Sequence, residues 1–142
     1  MTFQLEIITP QREAFSKPVH GVYVPTKQGT IGVLPRHERL FTSLTEGEVK
    51  IIMDGKDWYL AIGGGFMEVT KEKVSILVSR AVHADELNEA EIKKAQQEAK
   101  EALANKGKGQ ELADAQAILR RSMLELRVVR RNVHRRGLPT AS

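Results

Sequence analysis

Two rhythms of apolar residues divide the chain. Through about residue 82 they recur with period two: Phe3, Leu5 and Ile7 alternate with Gln4 and Glu6, and Val22 and Val24 flank Tyr23. Val49, Ile51 and Met53 repeat the alternation, as do Trp58, Leu60 and Ile62, then Val74, Ile76 and Val78. Successive side chains of a strand point to opposite faces, so this pattern predicts sheet with one face buried. Turn signals fall at short intervals, at Thr9-Pro10, Pro25 to Gly29, Asp54-Gly55 and Lys71 to Lys73. Asp54-Gly55, between Ile51-Ile52-Met53 and Trp58-Tyr59-Leu60, is the strongest hairpin signal. About seven or more short strands so spaced predict a sandwich or a barrel.

From about Ala84 the period changes. Ala84 to Ala104 is rich in Ala, Glu, Lys and Gln, all good helix formers, with Ile92, Ala95, Ala99 and Ala102 along one face. Asn105-Lys106-Gly107-Lys108-Gly109 breaks this helix, its glycines suited to a C-cap and turn. A second helix is predicted from about Gln110 to Arg135. There Leu112, Ala115, Leu119, Ser122, Leu126, Val129 and Val133 fill the a and d positions of a heptad. The short loop and the small alanine face predict an antiparallel αα-hairpin. The predicted fold class is thus α+β. Residues 1–83 form a β domain, 84–136 a helical hairpin, and 137–142 a disordered tail. The second helix, roughly 39 Å long, is marginal alone in water and needs a surface to pack on. Its stripe of about five large apolar side chains is small enough to exchange one packing surface for another.

Composition removes whole classes of function. The 142 residues contain no cysteine, so disulfides and thiolate metal sites are excluded. No apolar run approaches the roughly 18 residues of a membrane span, and the first residues lack the features of a signal peptide. The chain is therefore expected to stay in the compartment where it is made. His20, His37, His83 and His134 stand in no metal-ligand spacing, so no metal site is expected. Gly63-Gly64-Gly65 precedes strand-like Phe66-Met67-Glu68-Val69 rather than a helix, so it predicts a bulge or tight backbone approach, not a phosphate cradle. No nucleophile–base or paired-carboxylate arrangement stands out, which predicts a chain without catalytic machinery.

Charge adds a localised feature. Residues 1–114 hold fifteen Lys and Arg against seventeen Asp and Glu, a net of −2, whereas residues 115–142 hold seven arginines against Glu125 alone, a net of +6. Arg120, Arg121, Arg127, Arg130, Arg131, Arg135 and Arg136 all decorate the second helix or its end. Like charges at i,i+4, such as Arg127 with Arg131, cost a few tenths of a kcal/mol each, and a partner supplying carboxylates relieves that cost.

Three stretches together resemble the epsilon subunits of F-type rotary ATP synthases. Gly29-Thr30-Ile31-Gly32-Val33-Leu34-Pro35-Arg36-His37, leading to Leu40 and Thr42, is similar to that family's G-x-[IL]-G-[VI]-x-P-G-H segment. Ile62 to Val69 resembles its G-G-F-x-E-V strand pair, and Val74 to Val78 followed by Asp85-Glu86-Leu87 resembles its last strand and first helix. The resemblance implies an antiparallel β-sandwich of about ten strands, bound to the gamma subunit and to the c subunits of the rotor ring. It implies a ring contact at Lys27, Gln28, Gly29 and Thr30, with His37 nearby. It further implies a C-terminal hairpin whose extended form meets acidic beta-subunit segments and blocks ATP hydrolysis. Arg120, Arg121, Arg127, Arg130, Arg131 and Arg135 are the candidate inhibitory residues. The subunit would be non-catalytic and sit at the cytoplasmic face of the cell membrane, held there only through a proton-translocating complex.

Two departures from the family pattern carry expectations of their own. P-G-H-A-P-L becomes Pro35-Arg36-His37-Glu38-Arg39-Leu40: if the glycine position requires positive φ, Arg36 is strained there; alternatively the ring contact is more ionic. The I/L-D-x-x-R-A motif, through which some members bind ATP, reads Leu87-Asn88-Glu89-Ala90-Glu91-Ile92, with an acid in place of the arginine. Weak or absent ATP binding is expected, and no other cofactor. A nucleic-acid-binding module using the arginine helix is the main rival, but no aromatics interleave with the arginines and the body is slightly acidic. A stand-alone enzyme is a second rival that no constellation supports.

Overall fold

A computed structural model describes residues 1–105 and 109–137, with side chains described as far as Asn132. Ten strands are present among the described residues: β1 (Phe3–Ile8), β2 (Glu13–Val19), β3 (Gly21–Thr26), β4 (Gly29–Val33), β5 (Leu40–Leu44), β6 (Gly47–Met53), β7 (Lys56–Ile62), β8 (Gly65–Val69), β9 (Lys73–Val78) and β10 (Ala81–His83). A 3₁₀ turn (Ala84–Glu86) leads to α1 (Glu89–Ala104) and α2 (Gln110–Gly137). Contacts divide the chain into two compact units, Met1–His83 and Ala84–Ser142.

The first unit is a sandwich of two five-stranded sheets, ordered β2-β1-β9-β8-β5 and β10-β7-β6-β3-β4. The alternation in sequence becomes inside and outside. Leu5, Ile7, Ile76 and Met67 of one sheet and Val22, Val24, Val49, Ile51, Leu60 and Ile62 of the other are fully buried in one core. Burying each side chain of that size contributes roughly 1.5–3 kcal/mol. Outward residues between them pair across strands, as Gln4 does with Ser16 (3.0 Å) and Glu6 with Lys73 (3.3 Å).

The ladders are antiparallel with one exception: β1 runs parallel to β9, Leu5 opposite Val74 and Ile7 opposite Ile76. Parallel neighbours need a long intervening chain. Here the whole sandwich supplies it, since the first and ninth strands lie side by side.

Local chemistry sets the corners. Asp54 (φ 55°) and Gly55 (φ 72°) both adopt left-handed backbone between β6 and β7, the two-residue turn whose twist suits a hairpin. Thr9, Thr26 and Thr70 each close a turn in the same way: the hydroxyl accepts an N–H two residues on, from Gln11, Gln28 and Glu72 respectively, and donates to a carbonyl three residues on. The triple glycine is a tight approach between backbones. A Cβ on Gly65 would run into the Leu77 carbonyl of β9, so no larger residue pairs there.

The second unit differs in four ways from the sequence expectation. The helix expected from about Ala84 begins at Glu89, because Asn88 adopts an extended N-cap conformation and its side-chain oxygen accepts the Glu91 N–H at 3.2 Å. Asp85 and Glu86 occupy the 3₁₀ turn instead. Ala102 is exposed, and the buried face of α1 runs through Ile92 and Ala99 toward half-buried Leu103. At the loop, α1 ends on Asn105 with right-handed backbone, and the left-handed glycine is Gly109 (φ 62°), whose carbonyl accepts the Ala113 N–H and so starts α2. Gly107 lies outside the described residues. Helix α2 continues through Gly137, two residues past the expected end, while the rest of the expected tail, 138–142, lies outside the described residues.

Candidate functional site

Within the second unit Ile92 of α1 packs with Leu126 and Val129 of α2, and half-buried Leu87 joins them. These are heptad positions, and Ala115 and Ser122 of the same seam are also buried. Ser122 satisfies its hydroxyl by donating to the Leu119 carbonyl at 2.9 Å. Val133, the next seam position, is in the helical backbone, but its side chain lies outside the described residues.

Helix α2 carries a second stripe that the heptad reading misses. Leu124 and Val128 are buried too, at 6% and 0% exposure. They stand two residues from Leu126, and two steps of about 100° place them on the opposite side of the helix. Asn132, one turn further on, is buried and donates to the Asp85 carboxylate at 2.9 Å, tying the last described turn of α2 to the 3₁₀ turn.

Four of the arginines occupy what the two stripes leave. Arg120, Arg127, Arg130 and Arg131 fall on one flank and are all exposed. Arg121 lies in line with Leu124 and Val128, one turn nearer the start of α2, and approaches Glu125, 3.9 Å away across one helical turn. Among the described residues no carboxylate pairs with Arg127 or Arg130. Arg135 is helical, with its side chain outside the described residues. The geometry is that of a cationic ridge presented along a helix.

In the sandwich, Lys27 and Gln28 form the exposed tip of the β3–β4 hairpin, with Gly29 (φ 112°) and Thr30 beside them. The Thr26 hydroxyl donates to the Gly29 carbonyl at 2.6 Å and fixes the tip. His37 is exposed as well, but it lies past the far end of β4, whose four steps carry the chain roughly 13 Å from the tip. The structure thus gathers Lys27 to Thr30 on one corner and sets His37 on the following loop. His37 Nδ1 lies 2.8 Å from the Glu38 carbonyl, and the His37 N–H donates to the Leu34 carbonyl, closing a tight turn. Inside that turn Arg36 has φ 67°, so the position does require left-handed backbone and an arginine fills it.

A surface not singled out from sequence lies on the outer face of the first sheet. Phe41 of β5 and Phe66 of β8 stack with ring centroids 5.6 Å apart and an interplanar angle of 20°. Both are exposed, at 66% and 50%, and Leu77 opposite Phe66 on β9 is equally exposed. The signal was the phase of the alternation: Met67 and Val69 point inward, which turns Phe66 outward.

The fold is a two-sheet sandwich followed by a helical pair that presents exposed arginines, and among the described residues no group of three or more His, Asp or Glu could hold a metal ion. Residues 2–84 match the β-sandwich domain of the ATP synthase delta/epsilon chain family. An ATP synthase epsilon chain of Herpetosiphon aurantiacus is 40% identical over 134 residues, covering 93% of this chain and 98% of that one. The chain belongs to the ATP synthase epsilon family, whose members are non-catalytic subunits.

Two solved assemblies share the fold. A chain of the Euglena gracilis mitochondrial ATP synthase, in a structure of OSCP, F1 and c-ring, superposes with TM-score 0.65 at 23% identity, covering 91% of this chain and 78% of that one. A chain of the Tetrahymena thermophila mitochondrial ATP synthase central stalk and c-ring superposes with TM-score 0.58 at 14% identity, covering 91% and 97%. No helix among the described residues is long and apolar enough to cross a membrane.

Proposed function

We propose that this chain is a central-stalk subunit of a proton-translocating F-type ATP synthase, coupling the rotor ring to the catalytic head and restraining ATP hydrolysis through α2. The observation that carries the reading is the exposed ridge of Arg120, Arg127, Arg130 and Arg131, in which among the described residues no carboxylate pairs with Arg127 or Arg130. Such a ridge suits acidic segments of a beta subunit, which would cancel its self-repulsion. Nucleic acid suits it less, because helix α2 contains no Phe, Tyr or Trp on which a base could stack.

The stacked Phe41–Phe66 pair with Leu77 gives the sandwich an apolar surface of the kind that a permanent partner covers, and gamma is that partner in this reading. The tip at Lys27 to Thr30 faces the polar loops of the ring in this reading, and His37, a strand length away on the following loop, lies outside that tip. The chain is then held at the cytoplasmic face of the cell membrane through the complex alone. ATP is not a ligand of the hairpin: Asn88 already spends its side-chain oxygen on the helix cap, and Glu91 would repel phosphates.

Replacing Arg127, Arg130 and Arg131 with alanine in the reconstituted complex tests the reading. ATP hydrolysis should rise several-fold while the subunit still co-purifies with gamma. Unchanged hydrolysis with normal assembly would contradict the role given to α2.

A further inference from the structure

The strained loop borders a cavity of about 490 Å³ at one end of the sandwich, between the β4–β5 connection and the β8–β9 turn. Val33, Val69 and Val74, all buried, contribute its apolar wall. Its polar lining is mainly cationic: Arg36, Arg39, Lys71 and Lys73, with His37 and Thr70, against Glu38. Lys73 is paired with Glu6 at 3.3 Å, but among the described residues no carboxylate pairs with Arg36, Arg39 or Lys71.

Three unpaired cations around one opening repel each other, and the repulsion is relieved by an anion placed among them. The backbone at Arg36 adds an independent indication. A non-glycine residue at φ 67° costs roughly 1–2 kcal/mol, and such strain persists where the conformation is put to use. Here it fixes the start of the guanidinium's side chain on the cavity's border. A carboxylate would satisfy one arginine fork. A phosphate, with about two charges and three acceptor oxygens, matches two guanidinium groups and an ammonium together.

We propose that this cavity binds a phosphate group, held by Arg36, Arg39 and Lys71, with any apolar part of the ligand against the valine wall. The phosphate belongs either to a free anion or to a lipid headgroup, two sources with one chemistry. The site is separate from the arginine ridge of α2 and does not depend on the role proposed for it.

The test uses the full chain. Backbone amide NMR is recorded during titration with inorganic phosphate, and sedimentation is measured with phosphatidylcholine vesicles that contain or lack phosphatidylglycerol. Phosphate should move the amides of Leu34 to Arg39 and of Thr70 to Lys73, or phosphatidylglycerol vesicles alone should carry the protein down. The first result assigns a free anion, the second a headgroup, and both support the site.

The variant Arg36→Gly/Arg39→Gln/Lys71→Gln keeps the left-handed turn, since glycine adopts it without strain. It should weaken the observed binding about tenfold or more. Arg127→Gln/Arg130→Gln on α2 should leave the phosphate-induced amide shifts at Arg36 to Arg39 and Thr70 to Lys73 unchanged. The proposal is overturned by the absence of both responses, by undiminished binding in the groove variant, or by binding that disappears only with the α2 variant.

Discussion

The sandwich and the hairpin are built from the same kinds of residue but are held together to different degrees. In the sandwich, eighteen buried apolar side chains make one core spanning both sheets, and Gly65 sits where only glycine fits. In the hairpin the buried apolar cluster is Ile92, Leu126 and Val129, with Ala99 and Ala115 buried as small residues, Leu124 and Val128 buried on the other side of α2, and exposed arginines along its flank. A core of the first kind has one packing solution. A contact of the second kind loses little when it is replaced by another of similar size. On the proposed reading, the difference separates a body suited to permanent attachment from an arm suited to changing partners.

Paired truncations give the largest expected effect on that contrast. Leu60→Ala in the sandwich should cost about 2–5 kcal/mol and lower the denaturation midpoint of the whole β unit. Leu126→Ala should fall at the low end of that range, about 2 kcal/mol, and reduce helical signal while strand resonances stay in place. Loss of strand signal with Leu126→Ala would show that the two regions are not separately stabilised.

A smaller effect is expected at the polar tie. Asn132→Ala removes the hydrogen bond to Asp85 and should loosen the end of α2 by about 1 kcal/mol, read as faster amide exchange around residues 128–132. The smallest is a gain. Arg36→Gly relieves the left-handed backbone and should raise sandwich stability by about 1 kcal/mol or less, measured by chemical denaturation. A loss of stability there would mean that the arginine side chain contributes more than its backbone costs.

The strands were legible because period two leaves no other assignment: Leu5, Ile7, Val74 and Ile76 had to share a face wherever they paired. Their partners were not legible. Nothing local in Leu5 or Val74 specifies a parallel pairing about seventy residues apart, which follows from how the sheets close. The start of α1 was misplaced because Ala84 to Glu86 has good helical propensity, and the Asn88 cap overrides it.

In α2 the heptad named one seam correctly but concealed Leu124 and Val128, since a template for one stripe discards residues on the far side. The arginine ridge was visible as a charge excess, and its confinement to a single flank became visible only once both stripes were placed. The positive φ at Arg36 was foreseeable from the glycine it replaces. The cavity beside it was not, because its lining comes from segments some thirty residues apart.

Native-state hydrogen exchange on the full chain tests the contrast most directly, because it reads the opening free energy of each region separately. The account predicts two classes: amides of β7 and β9 exchanging only with global unfolding, and those of α1 and α2 opening several kcal/mol more easily. A single opening free energy shared by strands and helices would contradict it, since an arm that opens only when the sandwich unfolds has no second position to take.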